Sequence, residues 1–228
     1  MGQVNEKDLE TEIDDLRERY HSLKNDELFV SWFMKCFVTD TEEEGVASLV
    51  GGSRDKCLDA IHIDETARKV FIIQGKYRQK ANGRTEKRND ILAFADLARS
   101  FTDDEGFRAY RKDLAAAAAG KAEEARKRIK TRDFRLQLYF VTMGKCSAPL
   151  VKEAKSIVRR ANPYADVEII DGKHVLRLLS DYLDGVAPPV PLLELEIENG
   201  RGVTLSGVLQ RFDKQTIEPA LLNLNQAA

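Results

Sequence analysis

"LDAIHIDETARKVFIIQGKY", residues 58–77, is the stretch whose reading decides the fold. Two short apolar runs, Leu58 to Ile63 and Val70 to Gln74, flank the polar segment Asp64-Glu65-Thr66-Ala67-Arg68-Lys69. Isoleucine, valine and phenylalanine dominate both runs, and a polar connection of this length suits an antiparallel β-hairpin. Yet Asp59 interrupts the first run, and Gln74 and Lys76 close the second. Symmetric pairing about the turn sets Asp59 opposite Gln74. Side chains alternate faces along a strand, so Gln74 and Lys76 share one face while Gly75 turns to the other. One carboxylate, one amide oxygen and one ammonium then converge. Carboxylate and carbonyl oxygens are hard ligands suited to Mg²⁺ or Mn²⁺. A lysine two residues beyond a ligand holds an attacking water or offsets charge growing on a phosphate. Metal-assisted phosphodiester hydrolysis needs this set of groups.

The surroundings predict an α/β domain. Leu9, Ile13, Leu16, Tyr20 and Leu23 form a helical stripe, which either packs on its own core or makes a homodimer seam. Asn25 is a good N-cap for a second helix, apolar nearly all round from Leu28 to Phe37 and therefore buried. Gly51-Gly52-Ser53 reads as a loop without the P-loop lysine. After the hairpin, an amphipathic helix is expected from about Glu86 to Phe101, carrying Ile91, Leu92, Ala95, Leu97 and Ala98 inward. Residues 103–130 read as a helical excursion on the surface, with the alanine run 115–119 interrupted by Gly120. A strand at Arg135 to Thr142, a helix at about Ala148 to Ala161, a strand at Asp166 to Ile170 and a helix at Lys173 to Leu183 follow. This β-α-β-α order predicts a mixed sheet with a crossover connection. Val186 to Pro191 is proline-rich and reads as a boundary; the remainder, to Ala228, is too short for its own core. The organisation expected is an N-terminal helix over 1–24, the main domain over 25–185, and a linker and extension over 186–228 that opens a truncated second domain.

At 228 residues, 43% hydrophobic and 32% charged, the chain has the composition of a globular protein, with no apolar run near membrane-spanning length and no secretory leader. Three unevenly spaced cysteines, Cys36, Cys57 and Cys146, do not form a CxxC motif, which argues for a reducing cytoplasm rather than a disulfide framework. His21, His62 and His174 have no metal-ligand spacing. The net charge of −2 conceals basic zones. Residues 68–88 hold eight lysines and arginines against the single acid Glu86, and 121–135 hold seven more cations. The first zone offers Tyr77, Arg78, Lys80, Arg84, Lys87 and Arg88 to a phosphate backbone. The second reads at least as well as a solvated helix face, and Arg159-Arg160 as ordinary surface.

Asp59 followed about fifteen residues later by Gln74-Gly75-Lys76 resembles the PD-(D/E)XK nuclease signature in the Q-x-K variant of Mrr-like restriction endonucleases. The fuller string "LDAIHID…VFIIQGKY" is similar to the N-terminal domain of the AIPR (abortive infection phage resistance) family, as are "RLQLYFVT" and the later "VEIIDGKHVLRLLSDYL". The likeness runs over roughly residues 25–185, leaving 103–130 unmatched. It implies a restriction-endonuclease-like mixed sheet flanked by helices. It further implies Asp59 as central metal ligand, Gln74 as replacement for the second acid, a contribution from the Gly75 carbonyl, and Lys76 as catalytic lysine. Glu27 matches the acid that family members add from the first core helix; as an acid in a first helical turn, it also suits the helix dipole. The function implied is a metal-dependent endonuclease acting on DNA, or secondarily RNA, in phage defence in the cytoplasm. The alternative is a nuclease-fold domain with too few carboxylates to cut, which binds nucleic acid or a partner.

Overall fold

The computed structural model describes residues 4–50, 57–131 and 133–185, together with two short strands, Leu193–Glu196 and Gly202–Leu205. The glycine-rich loop 51–53, residues 54–56, the proline-rich boundary and the rest of the C-terminal extension lie outside the described residues. The chain divides into two compact units, Met1–Leu179 and Ser180–Ala228. In the second, Leu193–Glu196 and Gly202–Leu205 pair antiparallel.

The hairpin forms as its sequence requires. β1 (Ala60–Asp64) pairs antiparallel with β2 (Lys69–Lys76) in the register Ala60↔Ile73 to Asp64↔Lys69. Asp64 stabilises the turn by accepting the Ala67 N–H at 2.7 Å. β3 (Arg135–Thr142) then lies parallel to β2, and β4 (Ala165–Ile170) parallel to β3, giving a mixed sheet of order β1-β2-β3-β4. Parallel neighbours need crossovers. The β2–β3 connection carries α4 (Arg88–Thr102), α5 (Asp104–Lys112) and α6 (Ala116–Lys130), and the β3–β4 connection carries α7 (Ala148–Ala161). α1 (Glu6–Arg19), α2 (Asn25–Phe37) and the short α3 (Glu42–Ala47) precede the sheet, and α8 (Gly172–Leu183) follows it. The architecture is therefore α/β, a mixed sheet between helical layers, as the element order predicts.

Each face has its own core. On one, α2 sets Phe29, Trp32 and Phe33, all at most 1% exposed, against the sheet; Phe33 meets Tyr139 edge-on, with ring centres 5.3 Å apart. Leu9, Ile13 and Leu16 of α1 are fully buried, and α1 packs along α2. The stripe is thus covered by this chain's own core. On the other face, Val70, Ile72, Leu136, Leu138 and Phe140 join Ile91, Phe94 and Phe101 of α4 and Leu150, Ala154 and Val158 of α7.

Two expectations are corrected. The segment 103–130 is not a surface excursion. Ala118, Ala122 and Ala125 are fully buried, Phe107, Leu114 and Ile129 are nearly so, and α6 packs against β1, β2 and α4. Alanine misleads here because a helix lined with it can approach its neighbours closely, so the same residues serve a solvent face or a tight interface. Asn25 is the first residue of α2 rather than its cap; the cap position is Lys24, whose N–H donates to Glu27 Oε2 at 2.7 Å.

Candidate functional site

The C-terminal end of β2 is built so that its side chains alternate between two environments. Gly75 faces α2, where a Cβ would lie 2.3 Å from Val30 Cγ2, so the middle position of Gln-Gly-Lys admits no side chain. Gln74 and Lys76 turn to the opposite face, over which α4 packs, and Lys76 Nζ stands 5.7 Å from the centre of the Phe140 ring. Asp59 lies just outside the ladder. Its N–H donates to the Ile73 carbonyl at 3.0 Å and its Oδ2 accepts the Gly75 N–H at 2.7 Å. Its own carbonyl accepts the Val50 N–H at 2.9 Å. The carboxylate is thereby fixed against the backbone between Gln74 and Lys76. Asp59, Gln74, Gly75 and Lys76 are brought together.

Gln74 Oε1 is buried and has no hydrogen-bond partner. An unpaired buried acceptor costs about 1–3 kcal/mol, a penalty a bound cation would remove. A hard divalent ion fits the chemistry of this donor set: a carboxylate fixed on the Gly75 N–H and an unsatisfied amide oxygen on the adjoining residue. No cluster of three histidine, cysteine, aspartate or glutamate side chains occurs among the described residues, so such an ion would lean on water and phosphate for its other ligands.

Lys76 is held by acids that the sequence motif does not contain. Its ammonium pairs with Asp90, in the first turn of α4, and lies 3.9 Å from Glu86 Oε2. Glu86 is 5% exposed. It receives Arg78 Nε and Nη2 at 2.8 and 3.0 Å and the Thr142 hydroxyl at 2.8 Å. Gly144 makes room for it, since a Cβ there would sit 2.2 Å from Glu86 Oε1. Burial pushes the Glu86 carboxyl upward, but the hydrogen bonds from Arg78 and Thr142, with the charges of Arg78 and Lys76, win and hold it below its ordinary value. Asp90 is likewise held low, chiefly by its hydrogen bond from Lys76. Both acids are charged near neutrality.

The remaining predicted residues are scattered. Glu27 lies on α2, the helix that packs on the Gly75 face, and its carboxylate caps Lys24 N–H. Its neighbour Asp26 reaches the end of β2, accepting the Tyr77 N–H at 2.8 Å. The Tyr77 ring leans on Phe29, with centres 5.7 Å apart. Arg78 is spent on Glu86, and Arg88 pairs with Glu153 of α7. Lys80, Arg84 and Lys87 are exposed and form no ion pair among the described residues. Glu86 was legible only as the lone acid in a basic run, which does not indicate a lysine partner, and Asp90 emerges only from the structure, in the first turn of α4.

Comparison of the chain with protein families, with curated proteins and with solved structures finds no match.

Proposed function

We propose that the main unit is a divalent-metal-dependent nuclease domain that hydrolyses phosphodiester bonds, with DNA as first substrate and RNA as second. The supporting observation is the placing of Asp59 on the Gly75 N–H at the end of one hairpin, with the unsatisfied Gln74 Oε1 and Lys76 on the strand positions either side of Gly75. Asp59 and Gln74, with the Gly75 carbonyl, would hold Mg²⁺ or Mn²⁺. Such an ion polarises a phosphate oxygen and lowers the pKa of bound water. The chain's own contribution is positional. Gly75 N–H orients the Asp59 carboxylate, and Asp90 fixes the Lys76 ammonium over the Phe140 ring. Lys76 then offers a compact positive charge where negative charge grows on the phosphate. Arg78 neutralises Glu86, so the second carboxylate near Lys76 does not repel the substrate. The resemblance to the AIPR family supports a part in prokaryotic phage defence, in the cytoplasm. No helix among the described residues is long and apolar enough to cross a membrane.

The test incubates supercoiled plasmid and single-stranded DNA and RNA with Mg²⁺ or Mn²⁺ and the wild type, Asp59→Ala or Lys76→Ala. Cleavage by the wild type and its loss by about 10²-fold or more in both variants is expected. No cleavage by the wild type, or equal cleavage by the variants, overturns the assignment. A second reading, a binding module without catalysis, draws on the engagement of Glu27 in its own helix cap and of Lys76 with Asp90. Calorimetry separates the two: DNA binding without Asp59-dependent metal heat favours the module.

A further inference from the structure

The chain's cations are unevenly committed. In α6 and its flank, Lys121 donates to the Leu49 carbonyl at 2.9 Å and also to that of Ala47. Arg126 and Lys130 both pair with Asp104, and Arg128 Nε donates to Glu65 at 2.7 Å. In the segment after β2, Arg78 and Arg88 are paired with acids. These are the two zones whose composition is most basic, and internal partners absorb much of their charge.

α7 is different. Lys152, Lys155 and Arg159 recur at steps of three and four, so they stand on one face of that helix, and none makes an ion pair among the described residues. Like charges at this spacing repel, and no ion pair among the described residues offsets them. They line a groove of about 800 Å³, closed on its other side by Ile169, Asp171 and His174. Among the described residues Asp171 brings the only carboxylate to the lining, and it is occupied: its Oδ1 accepts the His174 N–H at 3.2 Å and lies 2.8 Å from His174 Nδ1. Glu153, the acid within α7, is turned to Arg88. Cys146 lies at one end, where burial pushes its thiol up to about 12, so it adds no negative charge.

That end adjoins the candidate site. Lys145, the preceding residue, donates its N–H to the Arg84 carbonyl at 2.7 Å and accepts the Glu86 N–H at 3.0 Å. The groove therefore begins one residue from the strap that carries Glu86, itself 3.9 Å from Lys76. The row from Lys152 to Arg159 is about 10 Å long at helical rise, and over that length of duplex axis one DNA strand, with a charge every ~3.4 Å, presents about three phosphates.

We propose that the α7 groove is a nucleic-acid backbone track, in which Lys152, Lys155 and Arg159 hold consecutive phosphates and lead the strand to Lys76; its direction rests on the nuclease reading, its occupancy does not. The ligand class is a phosphodiester strand. The row carries charge without an aromatic platform, so binding is electrostatic, salt-dependent and tolerant of sequence.

The experiment measures fluorescence anisotropy of labelled single-stranded and duplex DNA, in EDTA, over a series of salt concentrations. It compares the wild type, Asp59→Ala, the groove variant Lys152→Gln/Lys155→Gln/Arg159→Gln, and a control of equal charge change, Arg108→Gln/Lys112→Gln/Lys127→Gln. All six replaced side chains except the half-buried Lys155 are exposed, and a matching thermal transition verifies folding. The expected result is binding weakened about tenfold or more in the groove variant alone, with the slope of log K against log salt reduced by about 2 to 3 for the duplex. Binding by the groove variant equal to wild type, equal loss in the control, or no DNA binding by the wild type at low salt overturns the track. Groove-dependent binding of anionic vesicles or an acidic peptide in place of DNA also overturns it. If no protein cuts DNA but the groove variant alone fails to bind, the catalytic reading falls and the track stands.

Discussion

Glu86 is the residue whose chemistry the motif does not announce. A carboxylate 5% exposed is tolerated because Arg78 meets it with two nitrogens and Thr142 with a hydroxyl. Burial works against ionisation, but these partners outweigh it, and the carboxyl titrates below its ordinary value in the folded state. A depressed folded pKa means stability that is fully present above the unfolded pKa, about 4.3, and lost as pH falls through the folded one. Asp90, held low by Lys76, adds in the same direction. At pH 7, Glu86→Gln is expected to cost about 1–3 kcal/mol, because Arg78 is left facing a neutral group. Urea unfolding should show that gap closing as pH falls below the unfolded pKa of about 4.3, where the unfolded carboxyl takes up its proton before the folded one does. A gap constant down to pH 3 would mean that shape, not charge, is what Glu86 contributes. The triad of Asp59, Gln74 and Lys76 was legible because period-two alternation assigns faces without coordinates. Glu86 and Asp90 were not, since their meeting with Lys76 requires the turn of chain between β2 and α4 to fold back on the strand end.

At the scale of elements, strands and helices with clear periodicity were legible to within a residue or two. β3 runs from Arg135 to Thr142 and α7 from Ala148 to Ala161, the expected spans of both. Alternation in the first and the apolar spacing, with Asn162-Pro163 as stop, in the second leave little freedom. α6 was legible as a helix but not as core, because alanine carries no directional signal. Its burial supplies a prediction. Gly120 sits inside α6 on its exposed side, has nothing within 4 Å of where a Cβ would be, and is not at positive φ. Gly120→Ala therefore removes backbone freedom from the unfolded chain at no steric cost, and should raise stability by about 0.5–1 kcal/mol. Chemical denaturation with an unchanged m-value checks it. A loss of stability would mean that the folded helix uses the glycine's backbone freedom at this position.

At the scale of the whole molecule, the sheet order could be narrowed but not chosen from sequence. A hairpin followed by two crossovers allows β3 to join either edge of the pair, and the choice rests on long-range packing. Joining beside β2 sets Phe140 under Lys76 and Thr142 on Glu86, so topology completes the candidate site. This coupling of site to fold makes metal binding readable as stability, independently of cleavage. An ion that binds only the folded state stabilises it by RT ln(1 + [L]/Kd), about 1.4 kcal/mol at ten times Kd. For a domain of this size that corresponds to a rise of about 3–5 °C in Tm. Mn²⁺ should raise the Tm of the wild type by this amount. Asp59→Asn keeps an oxygen to accept the Gly75 N–H but lacks the charge, and its Tm should not respond. Gln74→Met, which removes the unsatisfied Oε1, should start with equal or higher stability and also fail to respond, because a buried acceptor without a donor is a cost until a cation meets it. Equal Mn²⁺ responses in all three proteins would locate the metal elsewhere, and a response lost only in Asp59→Asn would leave Gln74 a structural residue.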